Sequence, residues 1–209
     1  IGFVGSVLYG GLPDVVRGFR ACYAGLEVAL IEMSTVEQIA ALKEGRIDVG
    51  FGRIRFDDPA IRREVIAEEP LLVALPPDHR LLASDGVSFQ DIAGEPLVLY
   101  PKSPRPSYAD QVLSYFSDRG CTPVIAQEVR ELQTALGLVA AGIGITLVPD
   151  SVRHLHRDDV TYRPLLEAGI TSPLIMSCRA SDSSAEIGQI FDLIRNIYQL
   201  KQDLGRTPA

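Results

Sequence analysis

Three short stretches of this sequence put hydroxyl groups where a folded chain leaves backbone N–H donors open. The longest is Met33-Ser-Thr-Val-Glu-Gln-Ile-Ala-Ala-Leu-Lys-Glu-Gly-Arg-Ile-Asp-Val-Gly-Phe-Gly-Arg53. Ser34 with Glu37, or Thr35 with Gln38, has capping-box spacing, in which a hydroxyl takes a free N–H and the later side chain reaches back. Val36, Ile39 and Ala40 form a narrow apolar stripe that predicts a short helix. Gly45 ends it, and Ile47 to Phe51 predicts a buried strand running into Arg53. A hydroxyl-bearing helix N-terminus beside a strand-end arginine suits a carboxylate, because N–H, O–H and guanidinium groups all donate to it. The other two stretches are Gly5-Ser6-Val7, after a first strand-like run, and Pro104-Arg-Pro-Ser107-Tyr108, before a second long helix. At roughly 1.5–3 kcal/mol for each hydrogen bond to a charged partner, a few such bonds plus apolar contact give binding in the micromolar range. The expected ligand is a small organic anion, a dicarboxylate among the candidates.

Each of these residues also has a purely structural reading. Ser6 satisfies a turn, Ser34 and Thr35 cap a helix, and Arg53 pairs with Glu69 or Asp48. Tyr108 packs in the core, and Pro104-x-Pro106 stiffens a loop. Against these stand ligand contact for Ser6, Thr35 and Tyr108 and an anion-linked role for Arg53. Catalysis is the weaker reading. Gly2-x-x-Gly5-Ser6 is neither a nucleophile elbow nor a phosphate loop, and Gly142-x-Gly144 lies between a helix and a strand, the reverse of a dinucleotide turn. No carboxylate pair, Ser-His-Asp set or metal cluster stands out, so neither enzyme activity nor a cofactor is expected. Cys22, Cys121 and Cys178 lack C-x-x-C spacing and read as small buried hydrophobes of a reducing cytoplasm. His154-x-His156 lacks a third ligand nearby.

The elements that must position these groups follow from periodicity. Residues 1–7 predict a strand, and Leu12, Val15, Val16, Phe19 and Tyr23 recur with helical period, Pro13 in the first turn. Residues 26–33 predict the second strand. The resulting β-α-β-α-β order implies a parallel sheet with right-handed crossovers. Residues 63–75 form a long extended stretch, and 173–178 predict a strand that returns the chain to a final amphipathic helix marked by Ile187, Ile190, Phe191, Ile194, Ile197 and Tyr198. The middle carries its own strands at 96–100, 124–127, 143–149 and 160–165 and helices from Tyr108 and Leu132. Residues 205–209 read as a frayed end. The expected fold is α/β: two Rossmann-like lobes, residues 1–68 plus 174–209 and residues 69–173, joined by two crossing strands. In such sheets ligands sit beyond the carboxyl ends of parallel strands, where the three hydroxyl stretches fall.

Composition narrows the function. The 209 residues carry a net charge of −7, which argues against this piece binding nucleic acid by itself, since phosphate neutralisation needs a basic face. No apolar run reaches membrane-spanning length. The chain starts abruptly in a strand-like run with no basic leader, the look of an excised fragment.

Read together, these motifs resemble the effector-binding domain of a LysR-type transcriptional regulator. The resemblance spans essentially the whole chain. It is carried by Ile1-Gly-Phe-Val-Gly-Ser6, by Glu37-Gln38 through Gly45-Arg-Ile-Asp48-Val-Gly-Phe-Gly-Arg53, and by Ala140-Ala-Gly-Ile-Gly-Ile-Thr-Leu-Val-Pro149. Leu99-Tyr-Pro-Lys-Ser-Pro-Arg-Pro-Ser-Tyr108 and Glu128-Val-Arg-Glu131 resemble the subgroup that responds to cis,cis-muconate or benzoate in aromatic catabolism. The resemblance implies a type 2 periplasmic-binding-protein-like fold with the effector between the lobes. It assigns effector binding to Ser6, Val7, Thr35, Pro106, Ser107 and Tyr108, and a cleft-adjacent charge pair to Arg53 and Glu69. Ala67 stands where members with a second benzoate site have arginine, which argues for a single site. It further implies an N-terminal winged helix-turn-helix domain absent from this chain, homo-oligomers, promoter DNA and RNA polymerase as partners, and a cytoplasmic location. Candidate pairing surfaces are the helices at 12–23 and 130–141. Competing readings on the same fold are a transporter's solute-binding protein and an enzyme.

Overall fold

The computed structural model describes residues 1–23, Gly25 and residues 27–205, with side chains described as far as Gln199. The chain divides into two compact units: Ile1–Glu68 with the chain from Pro173 on, and Glu69–Ser172. In chain order the first part holds β1 (Gly2–Phe3), α1 (Leu12–Cys22), β2 (Ile31–Glu32), α2 (Thr35–Lys43), β3 (Gly50–Gly52) and the long β4 (Ile61–Leu75). The middle holds α3 (Phe89–Ile92), β5 (Pro96–Leu99), α4 (Tyr108–Ser117), β6 (Val124–Glu128), α5 (Leu132–Ala140), β7 (Thr146–Pro149) and β8 (Thr161–Pro164). β9 (Thr171–Arg179) and α6 (Ala185–Gly205) complete it. β4 and β9 are the strands that carry the chain from one unit to the other.

In the first unit β1 pairs in parallel with β2 on one side and β3 on the other, and β9 runs antiparallel to β3, Phe51 opposite Met176. α1 buries Leu12, Val15 and Phe19, and these pack with Phe51 and Met176 and with Phe191 and Ile194 of α6. The N–H of Gly11, at the start of α1, donates to the Tyr198 hydroxyl of α6 at 3.1 Å, so that helix pair is pinned by a bond as well as by apolar contact. α2 buries Ile39 and Leu42 against Ile47 and Ile61 in a smaller cluster.

In the second unit, the end of β4 is flanked by β7 and β8, both antiparallel to it. β5 and β6 pair in parallel with α4 as their crossover, and β5 also bonds Ile145, just before β7. Phe89 and Phe116 meet edge to face at 4.9 Å in its core.

Several expectations are corrected. The first strand is only two residues long. The Val4 N–H still reaches Phe51 O, but the Val7 N–H turns back to Val4 O at 3.0 Å, and Gly5–Tyr9 is a 3-10 helix despite its strand-like composition. The second strand is equally short, because before Ile31 the ladder reduces to the bond from the Ile1 amino group to Ala29 O; Leu26, its expected start, lies outside the described residues, as do residues 206–209 of the expected frayed end. The third strand is set later, at 50–52 rather than 47–51. The parallel pairing expected from the β-α-β-α-β order holds for β1, β2 and β3, while β9 runs antiparallel to β3 and β7 and β8 run antiparallel to β4, so the strands as a whole are of mixed direction. The stripe on α2 is also shifted: Ala40 is exposed, and the buried set is Gln38, Ile39, Ala41 and Leu42, a polar residue occupying one core position. Of the cysteines, Cys22 is exposed and Cys121 half-buried, and only Cys178 is buried, where desolvation pushes its thiol up from its ordinary value. His154 and His156 sit at the end of the 3-10 helix Asp150–Leu155, in line with the helix-like start that Pro149–Asp150 offers.

Candidate functional site

In the first unit, Ser6, Thr35 and Arg53 come together at the carboxyl ends of β1, β2 and β3. Ser34 is the N-cap of α2. Its hydroxyl accepts from the Glu37 N–H at 3.3 Å, and its own N–H donates to Glu37 Oε2 at 2.8 Å. The capping box therefore uses Ser34 and Glu37, not Thr35 and Gln38. This leaves Thr35, the first helical residue, outside the cap. Its Oγ1 instead accepts from the backbone N–H of Arg53 at 3.2 Å. Ser6, 7% exposed on its 3-10 helix, accepts from Arg53 Nε at 2.8 Å. One buried arginine thus donates to both hydroxyl oxygens, once from its side chain and once from its main chain. Neither hydroxyl proton finds an acceptor among the described residues, and the first N–H groups of a helix have no partners within it. The result is a cluster of hydrogen-bond donors beside a cation, which is the chemistry that holds a carboxylate.

Two residues that periodicity did not single out build this cluster. Gln38 is 2% exposed, and its Nε2 donates to Met33 O at 3.1 Å and Phe51 O at 3.0 Å, tying α2 to the ends of β2 and β3. Gly52 is the second: a Cβ there would lie 2.7 Å from Thr35 Oγ1, so only glycine lets the Thr35 hydroxyl approach the Arg53 N–H. A glutamine inside an apolar helical stripe was the signal for the first. A glycine immediately before the strand-end arginine was the signal for the second.

The remaining expected residues of this unit lie apart. Val7 turns its side chain into the core at 1% exposure. Asp48 pairs with Arg179 at 2.8 Å, which removes it as the alternative partner for Arg53. Ala67 packs against the core of the first unit.

In the second unit, Pro106, Ser107 and Tyr108 lie where β5 gives way to α4. Ser107 is the N-cap; its N–H donates to Asp110 Oδ2 at 2.7 Å, and its hydroxyl donates to Pro101 O at 3.1 Å. The Tyr108 hydroxyl donates to Leu147 O at 3.2 Å, and its ring lies 5.3 Å from that of Tyr100. Arg105 ties the loop down through the Lys102 carbonyl, Asp110 and Glu128. Glu69 accepts from the Ser151 hydroxyl at 2.6 Å and from the Ser151 N–H at 3.3 Å, at the start of the 3-10 helix Asp150–Leu155. Among the described residues no group of His, Cys, Asp and Glu is placed to hold a metal ion, and no helix is long and apolar enough to cross a membrane.

The family model of the LysR substrate binding domain matches residues 1–198. The chain belongs to that family. It is 50% identical over 194 residues to the HTH-type transcriptional regulator CatR of Pseudomonas putida, covering 93% of this chain and 66% of that protein. It is 44% identical over 200 residues to the HTH-type transcriptional regulator BenM of Acinetobacter baylyi, covering 95% of this chain and again 66% of the relative. The chain therefore spans just under two thirds of the length of these regulators. Among solved structures it matches the BenM effector binding domain with its effector benzoate, at 42% identity and a TM-score of 0.90, over 100% of this chain and 93% of that one. Full-length CbnR complexed with its target DNA matches at 28% identity and a TM-score of 0.86, over 94% of this chain and 68% of that one. The resemblance read from the motifs is borne out, and the fold is mixed α/β of the type 2 periplasmic-binding-protein-like kind.

Proposed function

We propose that this chain is the effector-binding domain of a LysR-type transcriptional regulator that controls aromatic-compound degradation genes, and that its effector is a small carboxylate, cis,cis-muconate or benzoate. The observation that supports the reading most is the Ser6–Thr35–Arg53 cluster: two hydroxyl protons without acceptors among the described residues, set beside a buried cation at strand carboxyl ends. Ser6 and Thr35 take one carboxylate. Pro106, Ser107 and Tyr108 of the second unit, and the charged residues Arg53 and Glu69, are the further residues that the family resemblance assigns to the effector site. Ala67, where members with a second benzoate site have arginine, argues for a single site. Relatives that are transcriptional regulators favour this reading over a transporter's solute-binding protein or an enzyme. In the whole protein an N-terminal winged helix-turn-helix domain meets promoter DNA, the assembly is a homo-oligomer in the cytoplasm that works with RNA polymerase, and effector binding biases its conformation. Taking such an equilibrium from 1:99 to 99:1 needs about 5.5 kcal/mol of differential binding.

Isothermal titration with cis,cis-muconate and with benzoate tests the effector. Binding of either acid in the micromolar range is expected; no heat and no thermal shift with either acid would remove the carboxylate reading.

A further inference from the structure

Resting on the reading above of a domain whose conformation an effector biases, we propose that Gln111, Tyr115 and Ser172 form a two-position latch on the strand that leaves the second unit. In one position Gln111 and Tyr115 grip the Thr171 carbonyl. In the other, which the effector favours, both release it and the Ser172 hydroxyl donates to the Gln111 side-chain oxygen. The first position is the one in this structure. The Tyr115 hydroxyl donates to Thr171 O at 2.5 Å, and Gln111 Nε2 donates to the same carbonyl at 3.1 Å. Gln111 Nε2 also donates to the Tyr115 hydroxyl oxygen at 3.3 Å, which closes a triangle. Thr171 opens β9, and Ser172 is the last residue of the second unit, so the grip falls where the chain crosses.

This grip leaves two groups over. Gln111 Oε1 and Ser172 Oγ are buried without a hydrogen-bond partner among the described residues, and Ser172 is 0% exposed. The Gln111 amide is not free to turn over, because its oxygen would then face Thr171 O, acceptor against acceptor. Buried polar groups without partners are costly and uncommon. These two are complementary, since one accepts and the other has a proton to give. Release of the Thr171 carbonyl frees the amide to meet the hydroxyl one residue on. Thr171 and Tyr115 are only half-buried, so water can replace the bonds they lose, whereas it does not reach Ser172. Helix α4 supplies the link to the ligand. Tyr108, Gln111 and Tyr115 are spaced i, i+3 and i+7, on one helix face. An effector that meets Tyr108 at the start of α4 therefore bears on the face that grips the strand.

The test is thermal unfolding and titration calorimetry of this chain and its variants, with benzoate and cis,cis-muconate as probes. Without ligand, Ser172→Ala should leave the unfolding midpoint unchanged or raise it, because it deletes a hydroxyl that has no partner. The same variant should bind the acid about three- to tenfold more weakly, because it deletes the bond of the favoured position. In a Gln111→Leu background that loss should shrink below about twofold. Tyr115→Phe should act the other way. It should tighten acid binding by about threefold while lowering the unliganded midpoint, since a weaker first position raises the population that binds. A purely structural role for Tyr115 would lower the midpoint without tightening anything. A lowered unliganded midpoint in Ser172→Ala, unchanged acid affinity in that variant, its full cost in the Gln111→Leu background, or unchanged or weaker affinity in Tyr115→Phe would each overturn the latch. Should Gln111→Leu fail to fold, Ser172→Ala and Tyr115→Phe decide it by the same outcomes. A chain that binds neither acid overturns the effector reading and the latch with it, whereas ordinary binding that Ser172→Ala leaves unchanged overturns the latch alone.

Discussion

In the first unit, the hydroxyls of Ser6 and Thr35 both accept from Arg53 and keep their protons; in the second, the hydroxyls of Ser107 and Tyr108 give theirs to carbonyl oxygens of their own fold. Thr35 and Tyr108 are each the first residue of a helix that follows a strand, and both helices open on a capping box, Ser34 with Glu37 and Ser107 with Asp110. The difference lies in which serine does the capping. In α2 the cap is the residue before the candidate ligand hydroxyl, so Thr35 is spared. In α4 the candidate residue is itself the cap. A sequence that offers similar hydroxyls in both places therefore gives one region that donates to a ligand and one that is consumed by its own architecture. Substitutions in the first should act on affinity, and those in the second on stability.

The sharpest way to break that contrast is to remove both free protons. Ser6→Ala with Thr35→Val should weaken benzoate or muconate binding by about 100-fold or more, taking each charged hydrogen bond at roughly 1.5–3 kcal/mol, while calorimetry shows the fold intact by an unchanged heat-capacity step on unfolding. Gly52→Ala comes next. Its Cβ would sit 2.7 Å from Thr35 Oγ1, so the hydroxyl must leave the Arg53 N–H. The expected cost is about 1–3 kcal/mol of stability in chemical denaturation, with a fall in affinity beside it. Tyr108→Phe should behave oppositely, losing roughly 1 kcal/mol of stability because Leu147 O loses its donor, with affinity changed by less than about threefold.

The smallest effect should come from a surface pair remote from both regions. Arg195 holds Glu64 through two bonds of 2.6 Å, and this holds the Glu64 carboxyl below its ordinary value of 4.5. The folded state therefore gains from this pair above the unfolded pKa and loses that gain as pH falls through the lower folded value. Glu64→Gln should cost under about 1 kcal/mol near neutral pH, less in high salt, and nothing in acid.

The sequence carried the fold better than the ladder. Helix starts were readable because Pro13, Ser34 and Ser107 sit where capping physics puts them, and the long β4 announced itself by an unbroken extended run. The ends of β1 and β2 were not readable: Gly5-Ser6-Val7 has strand composition, yet one i-to-i+3 hydrogen bond turns it into a 3-10 helix, and composition does not report such a bond. In the site, Ser6, Thr35 and Arg53 were legible as types at telling positions, but not the division of labour between Ser34 and Thr35, since two capping boxes fit the same spacing. Gln38 was hidden because a buried amide that satisfies two carbonyls looks like a break in an apolar stripe. Gly52 was hidden because its role is the space it leaves.

The central claim is that Ser6 and Thr35 receive the carboxylate of the effector. A crystal structure of this chain with cis,cis-muconate or benzoate tests it directly. The account predicts one carboxylate with its oxygens about 2.5–2.7 Å from Ser6 Oγ and Thr35 Oγ1, the length of an O–H bond to an anion, with Arg53 still donating to both hydroxyls. A carboxylate bound elsewhere, with the two hydroxyls left as they are, would contradict it.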